Sequence, residues 1–276
     1  MDILFLVLGV VLVLSVVYLF LICPRMFEKP ERTAFFGVHY AHRGLFNNDT
    51  EAPENSLNAI RKAVKAGYGI EFDVQLSKDN IPVVFHDASL KRMCGVNGKV
   101  WEYTLEELQK MKLGQSSQTI PTLEAVLKEV AGKVPLIVEY KMDRVDTKVC
   151  ELGNELLKRY RGPYCIESFH PLAVKWYREH RPDVLRGQLS ENFIRSGRKG
   201  IQMWIMTYLL SNVMTRPDFI AYRHKDADNI SRCICRKMGA LSVTWTIKNQ
   251  KEFEKAKPHF DLFIFDSCIL ENPNKK

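Results

Sequence analysis

The stretch Gly69-Ile70-Glu71-Phe72-Asp73-Val74-Gln75-Leu76-Ser77-Lys78-Asp79-Asn80-Ile81-Pro82-Val83-Val84-Phe85-His86-Asp87 contains two apolar runs, Gly69–Gln75 and Ile81–Phe85. Only Leu76–Asn80 separates them. A parallel crossover needs about a dozen residues or more, so the two runs form an antiparallel hairpin. Within the first run Glu71 and Asp73 stand at i and i+2, and a strand puts both on one face while Ile70, Phe72 and Val74 take the other. The apolar set suits a face covered by helices, which leaves the two carboxylates pointing inward. Counting outward from the turn returns His86 to roughly the level of Glu71.

Working outward, similar apolar runs occur at Gly37–Ala41, Pro135–Tyr140, Tyr164–Ser168, Val184–Leu189, Asp218–Tyr222, Ala240–Thr246 and Asp261–Phe265. Helical patterns lie between or after them at Ser56–Ala66, Thr104–Met111, Thr122–Val130, Asp146–Arg159, Pro171–His180, Ile201–Val213, Asn229–Met238 and Asn249–Lys257. Alternation of this kind means α/β with a parallel sheet. Setting the hairpin return aside leaves eight strands over residues 37–276, which fits a TIM (β/α)8 barrel. The stretch Ile201–Val213 reads as a buried barrel helix or, rich in aromatics and Met, as a surface resting on the membrane beside the mouth, the buried helix being preferred.

Ahead of the barrel, Ile3–Cys23 is uncharged and almost wholly aliphatic. As a helix it spans about 30 Å, the thickness of a bilayer core. No basic n-region precedes it and no small-residue cleavage site follows, so residues 1–23 read as a single uncleaved transmembrane helix. Residues 24–36, with two prolines and mixed charges, read as a linker lifting the domain off the bilayer. Arg25, Lys29 and Arg32 follow the apolar stretch, which places residues 24–276 on the cytoplasmic side of the cell membrane. Six of the seven cysteines lie in that part, as suits a reducing compartment.

Composition excludes several classes. With 46% hydrophobic residues the chain is not disordered, and its odd cysteine count shows no disulfide-scaffold spacing. The net charge of +8 comes without a basic stripe interleaved with aromatics, so no nucleic-acid partner is expected. The charge suits an anionic leaflet or an anionic substrate.

Chemistry gathers where strands end. Glu139 and Lys141 repeat the i, i+2 arrangement of Glu71 and Asp73. Three acids at one mouth make a hard-oxygen site for Mg²⁺ or Ca²⁺, and a salt bridge to Lys141 satisfies the same spacing. His42 ends the first strand and His86 returns by the hairpin, so the pair can act as general base and acid. Arg43 can hold phosphate oxygens, and Gly44 permits close backbone approach. The other five histidines, His39, His170, His180, His224 and His259, read as structural.

His42-Arg43-Gly44, Ala52-Pro53-Glu54-Asn55-Ser56, Glu71-Phe72-Asp73-Val74 and Pro82-Val83-Val84-Phe85-His86-Asp87 together resemble the signature blocks of the glycerophosphodiester phosphodiesterase family, in order and spacing. Leu90-Lys91-Arg92, Thr104–Leu108, Ile120–Leu123, Val138–Lys141 and Ser168–Pro171 extend the resemblance, and Val243–Thr246 and Phe265-Asp266 match more loosely. The resemblance implies hydrolysis of glycerophosphodiesters to glycerol 3-phosphate and an alcohol. It implies His42 and His86 as the acid/base pair, and Glu71, Asp73 and Glu139 as ligands of one divalent cation. It also implies Arg43 and Lys141 as phosphate contacts, and Trp245 as lining for the glycerol pocket. Pro53-Glu54-Asn55 is expected to start the first barrel helix with Asn55 or Ser56 as its cap, and Asp87 to orient His86 or cap a turn. Lys248 stands where the family commonly has Asn, and Phe265–Cys268 replaces Thr-Asp-x-Pro. A lysophospholipid cleaved in a phospholipase D-like manner, a phosphatidylinositol phospholipase C-like lyase and a tethered non-catalytic module are the competing readings.

Overall fold

The computed structural model describes residues 2–142, 145–271 and 273. The chain begins with α1 (Asp2–Ile22), then β1 (Tyr40–His42), α2 (Leu57–Ala66), β2 (Gly69–Leu76) and β3 (Pro82–Val84). There follow α3 (Lys91–Cys94), α4 (Leu105–Leu108), α5 (Leu123–Val130), β4 (Leu136–Tyr140), α6 (Lys148–Leu157) and β5 (Tyr164–Ser168). The next elements are α7 (Pro171–His180), β6 (Arg186–Ser190), α8 (Ile201–Thr207), α9 (Asn212–Thr215) and β7 (Phe219–Arg223). The chain finishes with α10 (Ile230–Lys237), β8 (Leu241–Ile247), α11 (Gln250–Ala256) and β9 (Leu262–Phe265).

β1, β2, β4, β5, β6, β7, β8 and β9 pair in parallel around a closed ring, β9 returning to β1. The fold is a TIM barrel. β2 overshoots the rim: Gly69–Glu71 pair with β1, and Val74–Leu76 pair antiparallel with β3. The hairpin read from the five-residue spacing is therefore present, and Phe85 N donates to Asp73 O at 3.0 Å.

Alternation along the strands separates two cores. Ile70, Phe72, Val74 and Val138 pack outward against Ile60, Val126 and Tyr177 of the helices. Tyr40, Ile137, Cys165, Leu189, Phe219 and Ile264 fill the barrel interior, with Phe35 closing its base. A third cluster, including Val83, Phe85, Leu90, Met93 and Val100, holds the excursion between β3 and α5. Helix starts follow the capping rules: Ser56 Oγ accepts from Ala59 N at 3.1 Å, and Thr122 Oγ1 accepts from Ala125 N at 3.1 Å.

Three expectations change. Ile201–Val213 is not one buried helix; it breaks into α8 and α9 because Leu209 takes a left-handed φ of 57° and Leu210 N closes back on Ile205 O at 2.9 Å. The helix expected over Thr104–Met111 shrinks to α4, fixed by a capping box between Thr104 and Glu107. Residues 24–36 do not form a free spacer. Arg25 N donates to Pro217 O at 3.0 Å, Lys29 Nζ to Gly239 O at 2.9 Å, and Tyr40 Oη to Phe35 O at 2.8 Å. The segment is strapped across the base because its cations and backbone meet carbonyls left open where strands begin.

Gly187 shows how tightly the interior is filled. A Cβ there would run into the ring of Phe219, which is buried in the core. Gly187→Ala is expected to cost about 1–3 kcal/mol through overpacking. A lowered urea midpoint with unchanged slope is the signature to look for; an unshifted midpoint contradicts the packing account.

Candidate active site

The inward face of β2, β4 and β5 changes character toward the mouth. Ile137 and Cys165 are interior apolar residues, and two positions further Glu139 and Glu167 occupy the same face as buried acids. Asp73 and Glu139 are paired across β2 and β4. Glu71, Asp73 and Glu139 each offer an oxygen within 4.8 Å of the others, and all three are buried.

Lys141 bridges part of this charge, with Nζ 3.0 Å from Asp73 Oδ1 and 2.7 Å from Glu139 Oε1. Arg43 lies 3.6 Å from Asp73 Oδ2, which also accepts from Asn55 Nδ2 at 2.9 Å. Glu71 has less support: the Arg43 backbone N–H at 3.2 Å and His42 Nε2 at 3.9 Å. Its carboxyl is pushed well up by burial and by the neighbouring Asp73 and Glu139 charges. Burial likewise drives Glu139 up to about 7 against the pull of Lys141. Asp73 goes the other way, because Lys141, His86 and Arg43 outweigh its burial. Salt bridging to Lys141 is thus real but does not balance the cluster. Hard oxygen donors with charge in excess fit Mg²⁺ or Ca²⁺.

Glu167 is a fourth acid that the motifs do not reveal. It is buried, its Oε2 has no hydrogen-bond partner among the described residues, and burial plus the Glu139 charge raise its carboxyl well above the usual range. The available signal was an acid inside the apolar run Tyr164–Ser168, in register with Glu139.

Both imidazoles line the same cavity of about 370 Å³ with Arg43, Lys141 and Trp245. His42 Nδ1 is 2.8 Å from Asp266 Oδ2, and His86 Nδ1 is 2.7 Å from Asp87 Oδ1. A carboxylate only accepts, so each Nδ1 carries the proton and each Nε2 is left free for chemistry. Burial lowers both imidazoles below their ordinary value, although Asp266 pulls His42 upward and Asp73 does the same for His86. Trp245 is half-buried, its ring set edge-on to Phe169 at 5.5 Å and its Nε1 donating to Ala221 O at 3.3 Å. Lys248 Nζ stands 4.0 Å from Asp266 Oδ1.

Local backbone geometry sets these groups. Arg43 and Asn55 have left-handed φ values of 58° and 59°. Asn55 N donates to Arg43 O at 2.9 Å, which locks the two turns together. Gly44 sits against α2, where a Cβ would lie 2.7 Å from the Ala59 carbonyl carbon. Ser56 takes the cap, leaving the Asn55 side chain to Asp73. Glu54 lines the same cavity and accepts from Arg43 Nη1 at 2.6 Å and from Arg92 Nη2 at 2.7 Å, while Arg92 Nε holds Asp87 at 2.6 Å. A continuous chain therefore runs from Arg43 through Glu54, Arg92 and Asp87 to His86. The remaining histidines include His39 packed edge-on to Phe253 and Phe263, His170 capping α7 and His180 stacked on Trp176.

A parallel barrel with these groups at the carboxyl ends of its strands carries them where barrel enzymes keep their active sites. The model of the "Glycerophosphoryl diester phosphodiesterase family" matches residues 42–258. The chain is 31% identical to YhdW of Bacillus subtilis over 225 residues, covering 78% of this chain and 88% of that protein. It is 32% identical over 179 residues to a human lysophospholipase D, covering 59% of this chain and 55% of the human protein. A phosphodiesterase of Oleispira antarctica, solved with sn-glycerol-3-phosphate, shares the fold with a TM-score of 0.69 at 24% identity, covering 84% of this chain and 94% of that one. The chain belongs to the glycerophosphoryl diester phosphodiesterase family.

Burial alone would raise Glu54, but the Arg92 hydrogen bonds and the Arg43 charge hold its carboxyl at about 2. A depressed carboxyl stabilises the fold fully above its unfolded value of 4.5, and that contribution fades as pH falls toward about 2. Arg92→Met should cost about 1–3 kcal/mol at neutral pH. Urea unfolding of both proteins at pH 7 and pH 3 checks it: the gap must narrow in acid, and a constant gap rejects the Glu54–Arg92 assignment.

Proposed function

We propose that the barrel mouth hydrolyses glycerophosphodiesters to glycerol 3-phosphate and an alcohol, using His42 and His86 as the proton-transfer pair. The observation that carries this reading is the matched locking of two imidazoles, each held at Nδ1 by its own carboxylate with Nε2 free in one cavity. Membership of the family supports the substrate class.

Glu71, Asp73 and Glu139 would hold one divalent cation, Mg²⁺ or Ca²⁺. When bound, such a cation polarises a phosphoryl oxygen and offsets charge that develops there. Arg43 and Lys141 bind the remaining phosphate oxygens and orient the diester. One imidazole takes the proton of the attacking hydroxyl, from water or from the substrate's own glycerol, and the other gives a proton to the leaving alcohol. Asp266 and Asp87 fix Nδ1–H on each ring, so the base presents a bare Nε2, while the ring that acts as acid enters as the imidazolium its carboxylate partner stabilises, with the proton it donates on Nε2. Trp245, with Phe169 against it, gives the glycerol part an apolar wall.

We further read α1 as a single-pass anchor in the cell membrane, with residues 37–276 forming the catalytic domain on the cytoplasmic side. Ile3–Ile22 is long and apolar enough to cross, and Arg25, Lys29 and Arg32 follow it. This anchor favours a second substrate, a lysophospholipid cleaved beside its headgroup.

His42→Ala and His86→Ala are each expected to lower turnover of glycerophosphocholine by about 10²–10⁴-fold with the fold retained. Near-normal turnover in either variant sinks the acid/base assignment. Chelation should abolish turnover and added Mg²⁺ or Ca²⁺ restore it; indifference to chelator counts against the carboxylate ligands.

A further inference from the structure

The direction in which α1 leaves the barrel fixes which face meets the bilayer. Tyr18 Oη is 2.7 Å from Ser231 Oγ, and four residues later in both helices Cys235 Sγ donates to Ile22 O at 3.2 Å. Equal spacing makes α1 and α10 neighbours running the same way. α10 starts after the mouth end of β7 and descends toward the base, where β8 begins. α1 therefore descends too, and ends at the base where Arg25 N meets Pro217 O. Its earlier residues, Ile3–Val17, are exposed on all sides and rise past the start of α10 on the side of the mouth. At 1.5 Å per residue they reach about 22 Å, short of the roughly 30 Å bilayer core. Seating the exposed Ile3–Val17 in hydrocarbon, with Tyr18–Ile22 held against α10 below it, sets the neighbouring rim in the headgroup layer.

That rim is built for such a layer. The loop after β6 exposes Arg198 and Lys199, and the first turn of α8 then exposes Ile201 (73%) and Trp204 (52%). Ile230, at the head of α10, is exposed as well. Tyr208 packs against Trp204 with the rings tilted and their centroids 5.3 Å apart. Tryptophan prefers the membrane interface, and basic side chains beside it are drawn to anionic headgroups.

We propose that Arg198, Lys199, Ile201, Trp204 and Ile230 form a second membrane-contact surface, seated on the anionic leaflet that α1 enters, so that the active-site mouth opens onto the bilayer. The inference rests on the reading of α1 as a membrane span. It deepens the proposed activity by favouring phosphodiesters resident in that leaflet, which arrive headgroup-first at the level of Arg43.

The test uses the full chain reconstituted in vesicles of phosphatidylglycerol and phosphatidylcholine. Acyl-brominated phospholipid should quench a component of the tryptophan emission that Trp204→Phe removes. The double variant Ile201→Glu, Trp204→Glu should lose about tenfold in hydrolysis of vesicle-borne lysophosphatidylcholine while turning over soluble glycerophosphocholine as the parent does. No Trp204 quenching, or equal loss on both substrates, overturns the contact surface. A dimer seen by light scattering and dissolved by Ile201→Glu assigns the patch to a second copy and also overturns it. Extraction of the parent chain by alkaline carbonate removes its premise. Failure of the parent to cleave soluble glycerophosphocholine instead strikes the proposed activity, and leaves the quenching result standing.

Discussion

Four carboxylates facing inward near the rim of one barrel, Glu71, Asp73, Glu139 and Glu167, are the constraint around which the mouth is organised. Acids removed from water repel one another and lose hydration, so their surroundings must return the difference. Lys141 answers two of them and Arg43 a third contact, and the left-handed turns at Arg43 and Asn55 exist to bring those donors in. Glu71 and Glu167 are left under-compensated. An oxygen-rich pocket with negative charge to spare is one that could hold a divalent cation.

The second organising device is indirect. Neither imidazole is placed by its strand alone: Asp266 steadies one ring, and Asp87, itself gripped by Arg92, steadies the other. Arg92 is half-exposed and outside the cavity, yet through Glu54 it also fixes Arg43. In the proposed mechanism phosphate contact and proton transfer would thereby share one outer clasp.

Much of this was legible from residues. Acids at i and i+2 inside apolar runs fix an inward face, and a five-residue gap between strands dictates a hairpin whatever the rest of the chain does. The hairpin, the return of His86 and the inward acids follow from those two facts, while the barrel class follows from the strand–helix alternation and the place of His42 from the end of the first strand. Glu167 escaped because an acid alone in a strand, without an i+2 partner, looks like any surface-facing residue until the register sets it beside Glu139. The carboxylate partners of the histidines were partly visible, Asp87 through adjacency and Asp266 only through a loose motif, since nothing local joins residues 42 and 266. The break at Leu209 was hidden for a different reason: Tyr208–Ser211 contains no Gly or Pro, and tertiary packing rather than propensity imposes the left-handed residue.

The strap beneath the barrel has a consequence for how the molecule is made. The Ile22 carbonyl is satisfied by the Asn212 side chain at 2.8 Å and by Cys235, and Arg216 Nη1 reaches the carbonyl of Cys23 at 2.8 Å. Those partners emerge from the ribosome some 190 residues after the hydrophobic helix they hold. During synthesis the helix is complete while these acceptors are still unmet, and only the last third of the polypeptide can clamp it. Ring closure by β9 and capture of the helix are then late, coupled events in assembly.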